Sequence, residues 1–270
     1  MNFVINNWPY QKYFKNKLPE TPLSLDNQLI VINDNNIDEP IDVSKNYDLH
    51  GFFQNYRYFD DVSVKYYFEP ESFIIEDILR EWPVFLNEKT CSIHIRRSDY
   101  LKIFPNDVLP LSYYKNALDF LYPDNNDITI FIFSDDQNVA DFIGPVLKRF
   151  KNVNYILSKN NNINFTKEGL IEPSEYNDIH DFFMMSMCSD NIISNSTFSW
   201  FSAYLNKNAD KRVILPHRWI SNIDINNFAR PEWFVINCEN VIENFTKNNV
   251  SVNIIFIVLI VLMILFLIIL

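Results

Sequence analysis

Short apolar segments alternate with longer amphipathic ones between residues 71 and 216 of this 270-residue chain. Segments that are apolar throughout predict buried strands, and apolar residues three or four positions apart predict helices. Strands are predicted at 91–96, 128–134, 153–158, 191–194 and 212–215. Helices are predicted at 71–87, 111–122, 137–150, 178–188 and from residue 197 onward. Residues 1–45 are weakly patterned, and a long loop is predicted before the helix at 178.

This alternation predicts an α/β fold: a parallel sheet with helices on both faces and ligands at the carboxyl ends of the strands. Three segments run from a predicted strand into polar residues. They are CSIHIRRSDYL (91–101), ITIFIFSDDQNVADF (128–142) and DNIISNSTFSWFSAYL (190–205). Because the carboxyl ends of parallel strands meet at one edge of a sheet, the three segments predict one site for an anionic ligand.

Composition narrows the kind of ligand. A net charge of −11 argues against nucleic-acid binding, which needs a basic surface to neutralise phosphates. A small phosphorylated ligand needs only one or two arginines and some backbone N–H groups. The chain has only 3 glycines, and their spacing excludes both GxGxxG and a P-loop. Hydrophobic residues make up 48% of the chain, which is ample for a packed core.

The cysteines and the carboxyl-terminal segment bear on the cellular setting. Cys91, Cys188 and Cys238 are far apart in sequence, so we expect free, buried thiols and a reducing compartment. Every residue of Ile254–Leu270 is apolar, which predicts a membrane tail anchor with the catalytic part on the cytosolic side and a linker at 241–253. The alternative is a buried helix, but a helix that is apolar all round has no face for solvent.

The arginine segment HIRRSDY (94–100) offers the strongest cationic group. Arg96 and Arg97 cannot share one face of an extended strand, so one could face an anionic ligand while the other pairs with a carboxylate. The planar guanidinium suits a diphosphate, and Asp99 could hold an arginine in place. The alternative is a purely structural Arg–Asp pair at the end of a strand.

Two adjacent carboxylates, Asp135 and Asp136, follow the strand at 128–134. One could cap the next helix, which is a common role for aspartate. One could instead accept hydrogen bonds from a guanine edge. A third alternative is a metal-binding pair, for which two aspartates alone are weak support.

The segment around Asn195, Ser196 and Thr197 turns from a strand into a helix. Hydroxyl groups and free N–H groups at such a helix start favour an anion. The alternative is plain capping of the helix. The aromatic residues that follow have helical spacing and are predicted to belong to the core; they are Phe198, Trp200, Phe201 and Tyr204.

These segments resemble the α-1,2-fucosyltransferases of glycosyltransferase family 11. HIRRSDY is similar to that family's HVRRGDY, FSDD matches its FSDD, and the segment 181–206 is similar to its M-C-x-x-x-I-x-x-N-S-(S/T)-F-S-W-W-x-A-x-L-N signature. The shorter segments GFFQNYRYF (51–59), LSYYKNAL (111–118) and RVILPHRW (212–219) also match, so the resemblance runs from about residue 48 to residue 220.

The resemblance implies a GT-B-like fold, GDP-fucose as donor, inversion at the fucose anomeric carbon, no metal, and the 2-hydroxyl of a galactose-terminated glycan as acceptor. Carried over to this chain, Arg96 binds the β-phosphate, supported by Arg97 and Asp99. The remaining donor contacts are implied for His94 along the nucleotide, Asp135 or Asp136 at guanine, and Asn195, Ser196, Thr197 and Phe198 at the diphosphate. The general base is not identified.

One departure from the family pattern concerns the amino-terminal part. The family opens with a GGLGNQ-type turn, whereas no glycine precedes Gly51 here. We therefore expect an abbreviated acceptor-side region at 1–88 and a Rossmann-like donor domain at 89–240. Three hypotheses stay open: a membrane-tethered fucosyltransferase, a non-catalytic binder of GDP-sugars, and a transferase with another donor.

Overall fold

The computed structural model describes residues 9–17, 30–33, 47–50, 55–58, 60–124, 127–158, 164–166, 169–171, 177–220, 224–237 and 242–243. They form two compact units, one up to Glu71 and one from Ser72 onward. Most of the aromatic segment 51–59, Cys238 and the predicted anchor Ile254–Leu270 lie outside the described residues. Among the described residues, no helix has the length and apolar character needed to cross a membrane.

The first unit contains short elements. A 3₁₀ helix spans Pro9–Tyr13, another spans Tyr56–Tyr58, and strands β1 (Ile30–Asn33) and β2 (Tyr47–His50) pair in parallel. Helix α1 (Asp61–Tyr67) begins after Asp60, whose carboxylate accepts a 3.0 Å hydrogen bond from the Ser63 amide. The sequence pattern did not reveal β1, because four residues are too few to establish an alternation.

The second unit alternates strands and helices. Its helices are α2 (Ser72–Glu81), α3 (Val84–Asn87), α4 (Tyr100–Ile103), α5 (Leu111–Leu121), α6 (Val139–Leu147), α7 (Asn177–Met187) and α8 (Thr197–Leu205). Its strands are β3 (Thr90–Ile95), β4 (Thr129–Ser134), β5 (Asn152–Leu157), β6 (Asn164–Thr166), β7 (Gly169–Ile171), β8 (Asp190–Ile192), β9 (Arg212–Pro216), β10 (Phe234–Ile236) and β11 (Ile242–Glu243). Short 3₁₀ helices lie at Pro105–Asp107 and Ile225–Asn227.

The sheet order places the functional segments side by side. The strands follow the order β11-β10-β9-β8-β3-β4-β5-β6-β7. The six from β10 to β5 are parallel, and the outer strands β11, β6 and β7 each pair antiparallel with their neighbours. The chain builds β3, β4 and β5 in one direction and then returns to add β8, β9 and β10 on the other side of β3. This reversal is the topological switch point of a Rossmann-like sheet, where a crevice for ligands opens. The predicted α/β fold with a Rossmann-like parallel sheet is confirmed.

The sheet is covered on both faces, as its apolar strands predict. Every residue of β3 and β4 is buried. Ile130 and Ile132 pack into a cluster with α5 and α6, whereas Phe131 points to the other face and stacks on Phe85 with ring centroids 5.0 Å apart. Alternate residues of one strand thus serve two separate cores.

Several boundaries differ from the sequence prediction. The single helix predicted at 71–87 is two helices, because Pro83 lacks an amide hydrogen and interrupts the turn between α2 and α3. The loop predicted before residue 178 contains β6 and β7. The structure divides its two units at Glu71, so α2 and α3 belong to the second unit. Cys91 and Cys188 are buried free thiols, as predicted.

Candidate functional site

His94 joins two of the predicted segments at the switch point. It lies near the carboxyl end of β3 and is buried, and its Nδ1 atom is 2.7 Å from Oγ of Ser194, two residues beyond β8. Its ring centroid is 5.7 Å from that of Phe198 in the first turn of α8. The arginine segment and the strand-to-helix segment, about one hundred residues apart in sequence, therefore meet at one edge of the sheet.

The surroundings of His94 keep its imidazole neutral. Burial, together with the positive charge of Arg96, lowers the pKa of His94 from 6.5 to about 3. A neutral imidazole carries one N–H and one acceptor nitrogen, so the contact with Ser194 fixes how the ring is oriented. His94 is a hydrogen-bonding link in this edge and a weak base.

The low pKa of His94 predicts a measurable dependence of stability on pH. Between about pH 4 and pH 6 the unfolded chain binds a proton on this histidine that the folded chain does not, so the free energy of unfolding rises with pH. The expected contribution is about 1.4 kcal/mol per pH unit. Urea unfolding of the wild type and His94→Gln at several pH values measures it. The variant should show the smaller slope, and parallel curves for the two proteins would contradict the prediction.

Arg96 directly follows β3 and pairs with two carboxylates. Its guanidinium donates a 2.8 Å hydrogen bond to Asp99 and forms a 3.1 Å ion pair with Asp135. Its Cζ atom is 5.8 Å from the ring of Tyr100, whose hydroxyl donates to the backbone oxygen of Asn195 at 3.1 Å. Arg96 is thus linked through Tyr100 to the turn that starts α8.

Arg97 lies against α6. Its Nε donates to Asp136 at 2.9 Å, and its Cζ atom is 4.0 Å from the centroid of the Phe142 ring. The sequence left open which arginine pairs with a carboxylate, and in the structure both do. Arg96 is the one nearer to His94 and to the turn before α8, whereas Arg97 anchors the segment to α6.

Asp135 and Asp136 hold the arginine segment in place. Asp135 accepts hydrogen bonds from the Arg97 amide at 2.9 Å and from the Ser98 hydroxyl at 2.7 Å, in addition to its ion pair with Arg96. Asp136 accepts from the amide of Asn138, just before α6, at 2.9 Å. For the metal alternative, the described residues contain no group of three side chains suited to hold an ion. Guanine recognition by either carboxylate stays a prediction.

The amino terminus of α8 lies at this edge and has no side-chain cap from Ser196. Ser196 occupies the N-cap position with extended backbone (φ −136°, ψ 131°), but its side chain makes no capping hydrogen bond. The helix ladder begins with the amide of Trp200, which donates to the Ser196 oxygen at 3.1 Å. The amides of the first turn are therefore not capped by Ser196, so plain capping does not account for this serine. Such a turn, at the start of a nine-residue helix, suits an anion.

Asn195 supports the turn from inside. Its side chain is buried, and its Nδ2 donates a 2.7 Å hydrogen bond to the backbone oxygen of Asp107. Its Oδ1 has no hydrogen-bond partner among the described residues. Sequence reasoning missed the supporting roles of Ser194, Tyr100 and Asp107. The first two lie inside the quoted motifs, where they could have been found, but nothing in the sequence marks Asp107.

The aromatic side chains of α8 lie in the core, as predicted. Trp200 donates from its indole nitrogen to the Phe228 oxygen at 2.9 Å and stacks on Tyr204 with centroids 5.2 Å apart. Phe201 is also buried, and Phe198 is buried beside His94. These contacts anchor α8 in the core.

Two curated glycosyltransferases are similar in sequence to parts of this chain. A 153-residue stretch is 34% identical to an O-antigen biosynthesis glycosyltransferase, WbnK, of Escherichia coli, and covers 54% of this chain and 44% of the relative. A 187-residue stretch is 31% identical to an α-1,2-colitosyltransferase of Escherichia coli, and covers 66% of this chain and 58% of the relative. The chain therefore spans about half the length of these curated relatives.

A solved glycosyl transferase family 9 structure from Veillonella parvula is 9% identical with a TM-score of 0.35, over 62% of this chain and 40% of the other. That likeness is too slight to bear on function. The profile of Glycosyl transferase family 11 matches residues 34–237, which include the whole parallel sheet and every residue of the site described above. This chain belongs to glycosyl transferase family 11.

Proposed function

We propose that this protein is an inverting glycosyltransferase that moves L-fucose from GDP-fucose to the 2-hydroxyl of a β-galactoside. The observation that carries the proposal is the junction at the switch point, where His94 Nδ1 lies 2.7 Å from Ser194 Oγ. That junction sets Arg96 and the open first turn of α8 at one edge of the sheet. Family membership supports the reaction class, and the name of one relative, an α-1,2-colitosyltransferase, supports the linkage.

The charges at this edge match what the reaction requires. As the bond between the sugar and the diphosphate breaks, negative charge develops on the departing GDP. A guanidinium of fixed charge and the amides at the start of α8 stabilise that charge without a metal. Arg96 has five N–H donors, and Asp99 and Asp135 leave some of them for phosphate oxygens.

The acceptor hydroxyl attacks the anomeric carbon from the face opposite GDP, which inverts its configuration. The proton of that hydroxyl needs an acceptor other than His94, because His94 is buried and its pKa of about 3 makes it a weak base. The identity of the donor sugar is tested against a chemically similar one, because colitose is fucose without its 3-hydroxyl. Parallel assays with GDP-fucose and GDP-colitose therefore decide which deoxy sugar is transferred to lactose.

A pair of substitutions at Thr197 tests the role of α8. Proline suits the first position of a helix, and the extended backbone of Ser196 is the conformation that a following proline prefers. Thr197→Pro removes the amide hydrogen and the hydroxyl, whereas Thr197→Ala removes the hydroxyl and the methyl group but keeps the amide hydrogen. We expect Thr197→Pro to bind GDP-fucose about tenfold to a hundredfold more weakly than Thr197→Ala, measured by calorimetry on the full chain.

The outcomes separate the hypotheses. Equal affinities of the two variants for GDP-fucose would show that the amide of Thr197 does not bind the donor. A folded wild-type protein that does not bind GDP-fucose would refute the proposed donor. Tight binding without transfer to any β-galactoside would leave the non-catalytic binder as the better description.

A further inference from the structure

Arg218 follows the carboxyl end of β9, at the same edge of the sheet as the candidate site. It lies two residues beyond β9, and its Nη2 donates a 3.1 Å hydrogen bond to the backbone oxygen of Val108. Val108 lies in the segment that follows β3 and α4, and β8 lies between β9 and β3 in the sheet. The Arg218 side chain therefore contacts the same short segment, Asp107–Val108, that Asn195 contacts from the turn into α8.

Most of the other arginines pair with a carboxylate, whereas Arg218 pairs with none among the described residues. Six arginines each form an ion pair with a carboxylate; they are Arg80, Arg96, Arg97, Arg149, Arg212 and Arg230. Within the described part of the chain, no carboxylate lies at ion-pair distance from Arg218, although this residue is partly buried. In a chain of net charge −11, an arginine kept apart from carboxylates is available for an anionic ligand.

Two polar atoms beside this arginine lack partners. Nε of Arg218 and Oδ1 of Asn195 are buried and, among the described residues, accept or donate no hydrogen bond. The two side chains are tied to consecutive carbonyls, those of Asp107 and Val108. Buried polar groups in native proteins are nearly always satisfied, so this pair indicates a group that is bound when the protein works.

We propose that Arg218 is a second arginine of the donor site and binds the diphosphate from the β9 side of the crevice, while Arg96 approaches from the β3 side. This inference rests on the proposed function. A diphosphate presents oxygens on two phosphorus atoms, so two guanidinium groups and a helix start can each take a share of them. Asn195 is a positioning residue that holds the Asp107–Val108 segment on which Arg218 rests.

The test compares GDP with GMP, which lacks the β-phosphate. Calorimetry on the full chain measures both ligands with the wild type, Arg218→Gln and Arg218→Lys. We expect Arg218→Gln to weaken GDP binding about tenfold to a hundredfold and GMP binding much less. Lysine keeps the charge without the planar fork, so Arg218→Lys should recover part of the loss. Arg230→Gln is the matched control, because Arg230 already pairs with Glu232 at 2.6 Å, and it should not change either affinity.

Each result decides between the possibilities. Unchanged GDP affinity in folded Arg218→Gln would overturn the inference and leave the proposed donor site intact. An equal loss for GDP and GMP would assign Arg218 a structural role and also overturn it. If Arg218→Gln does not fold, the same comparison is made with Arg218→Lys, for which a GDP-specific loss is still required. A wild type that binds neither GDP nor GDP-fucose would remove the proposed function itself.

Discussion

Replacing Arg96 with alanine is expected to lower kcat/KM for fucosyl transfer by about a hundredfold to a thousandfold. The substitution removes the positive charge of the guanidinium. It also leaves the carboxylates of Asp99 and Asp135, now 2.8 and 3.1 Å from the guanidinium, without that partner. Both effects make the edge more negative where the diphosphate must bind. Initial rates with GDP-fucose and a β-galactoside, together with GDP affinity from calorimetry, measure the loss.

Two other arginines, Arg80 and Arg97, provide the controls for Arg96. Arg80→Ala removes an exposed arginine whose partner is Asp77, and it should leave transfer unchanged. Arg97→Ala should reduce stability more than activity, because Arg97 packs on Phe142 and pairs with Asp136. If Arg96→Ala keeps activity within about fivefold of wild type, its charge does not act on the leaving group.

A double variant separates the two effects of losing Arg96. In Arg96→Ala with Asp135→Asn, the carboxamide oxygen can still accept from the Arg97 amide, but the uncompensated negative charge is gone. We expect GDP affinity to recover part of what the single substitution lost. Recovery would assign that part to repulsion by Asp135, and no recovery would assign the whole loss to the missing guanidinium.

The strands that build the site could be predicted because they are buried on both faces and therefore apolar throughout. The segments ITIFIFS and CSIHI predicted β4 and β3 to within one residue at each end. β10 was not predicted, because among the described residues only a short 3₁₀ helix, Ile225–Asn227, separates it from β9, so the strand–helix alternation that revealed the equally short β8 does not extend to it. β6 and β7 are also only three residues each, too short to show an alternation.

The site was predictable as a set of segments but not as a set of contacts. Parallel strands share one edge for their carboxyl ends, so HIRRSDY, FSDD and SNSTF had to converge. The sequence could not show that β3 lies directly beside β8, because strand order depends on tertiary packing across about one hundred residues. For the same reason it could not show that Ser194 forms a hydrogen bond with His94. Nor could it show that Arg96 pairs with Asp135 and Arg97 with Asp136.

Asp190→Ala is expected to destabilise the second unit by about 3 to 5 kcal/mol, without touching the candidate site. Asp190 begins β8, at the end of the sheet opposite the crevice, and is only 1% exposed. It accepts hydrogen bonds from Nε and Nη2 of Arg212 at 3.0 and 2.6 Å and from the Tyr122 hydroxyl. Removing the carboxylate leaves a partly buried guanidinium and a buried hydroxyl without their partner.

Because Asp190 ionises, the stability that it contributes through Arg212 and Tyr122 depends on pH. Burial acts to raise the pKa of this carboxyl, but the hydrogen bonds from Arg212 and Tyr122 outweigh burial and lower the pKa below its usual value. A carboxylate with a lowered pKa contributes stability above its unfolded value of 3.8 and loses it as the pH falls through its folded value. The difference in stability between wild type and Asp190→Ala should therefore be full near neutral pH and should shrink in acid.

The exposed pairs of Asp119 provide a matched control for this buried pair. Asp119 also pairs with an arginine, Arg149 at 3.0 Å, but its side chain is 45% exposed, so Asp119→Ala should cost less than about 1 kcal/mol. Urea unfolding near neutral pH measures both variants. Because Asp190 and the crevice lie at opposite ends of the strands, folded Asp190→Ala should bind GDP as the wild type does. A destabilisation as small as that of Asp119→Ala would show that Arg212 and Tyr122 find other partners, and the buried pair would then not be what joins β8 to β9.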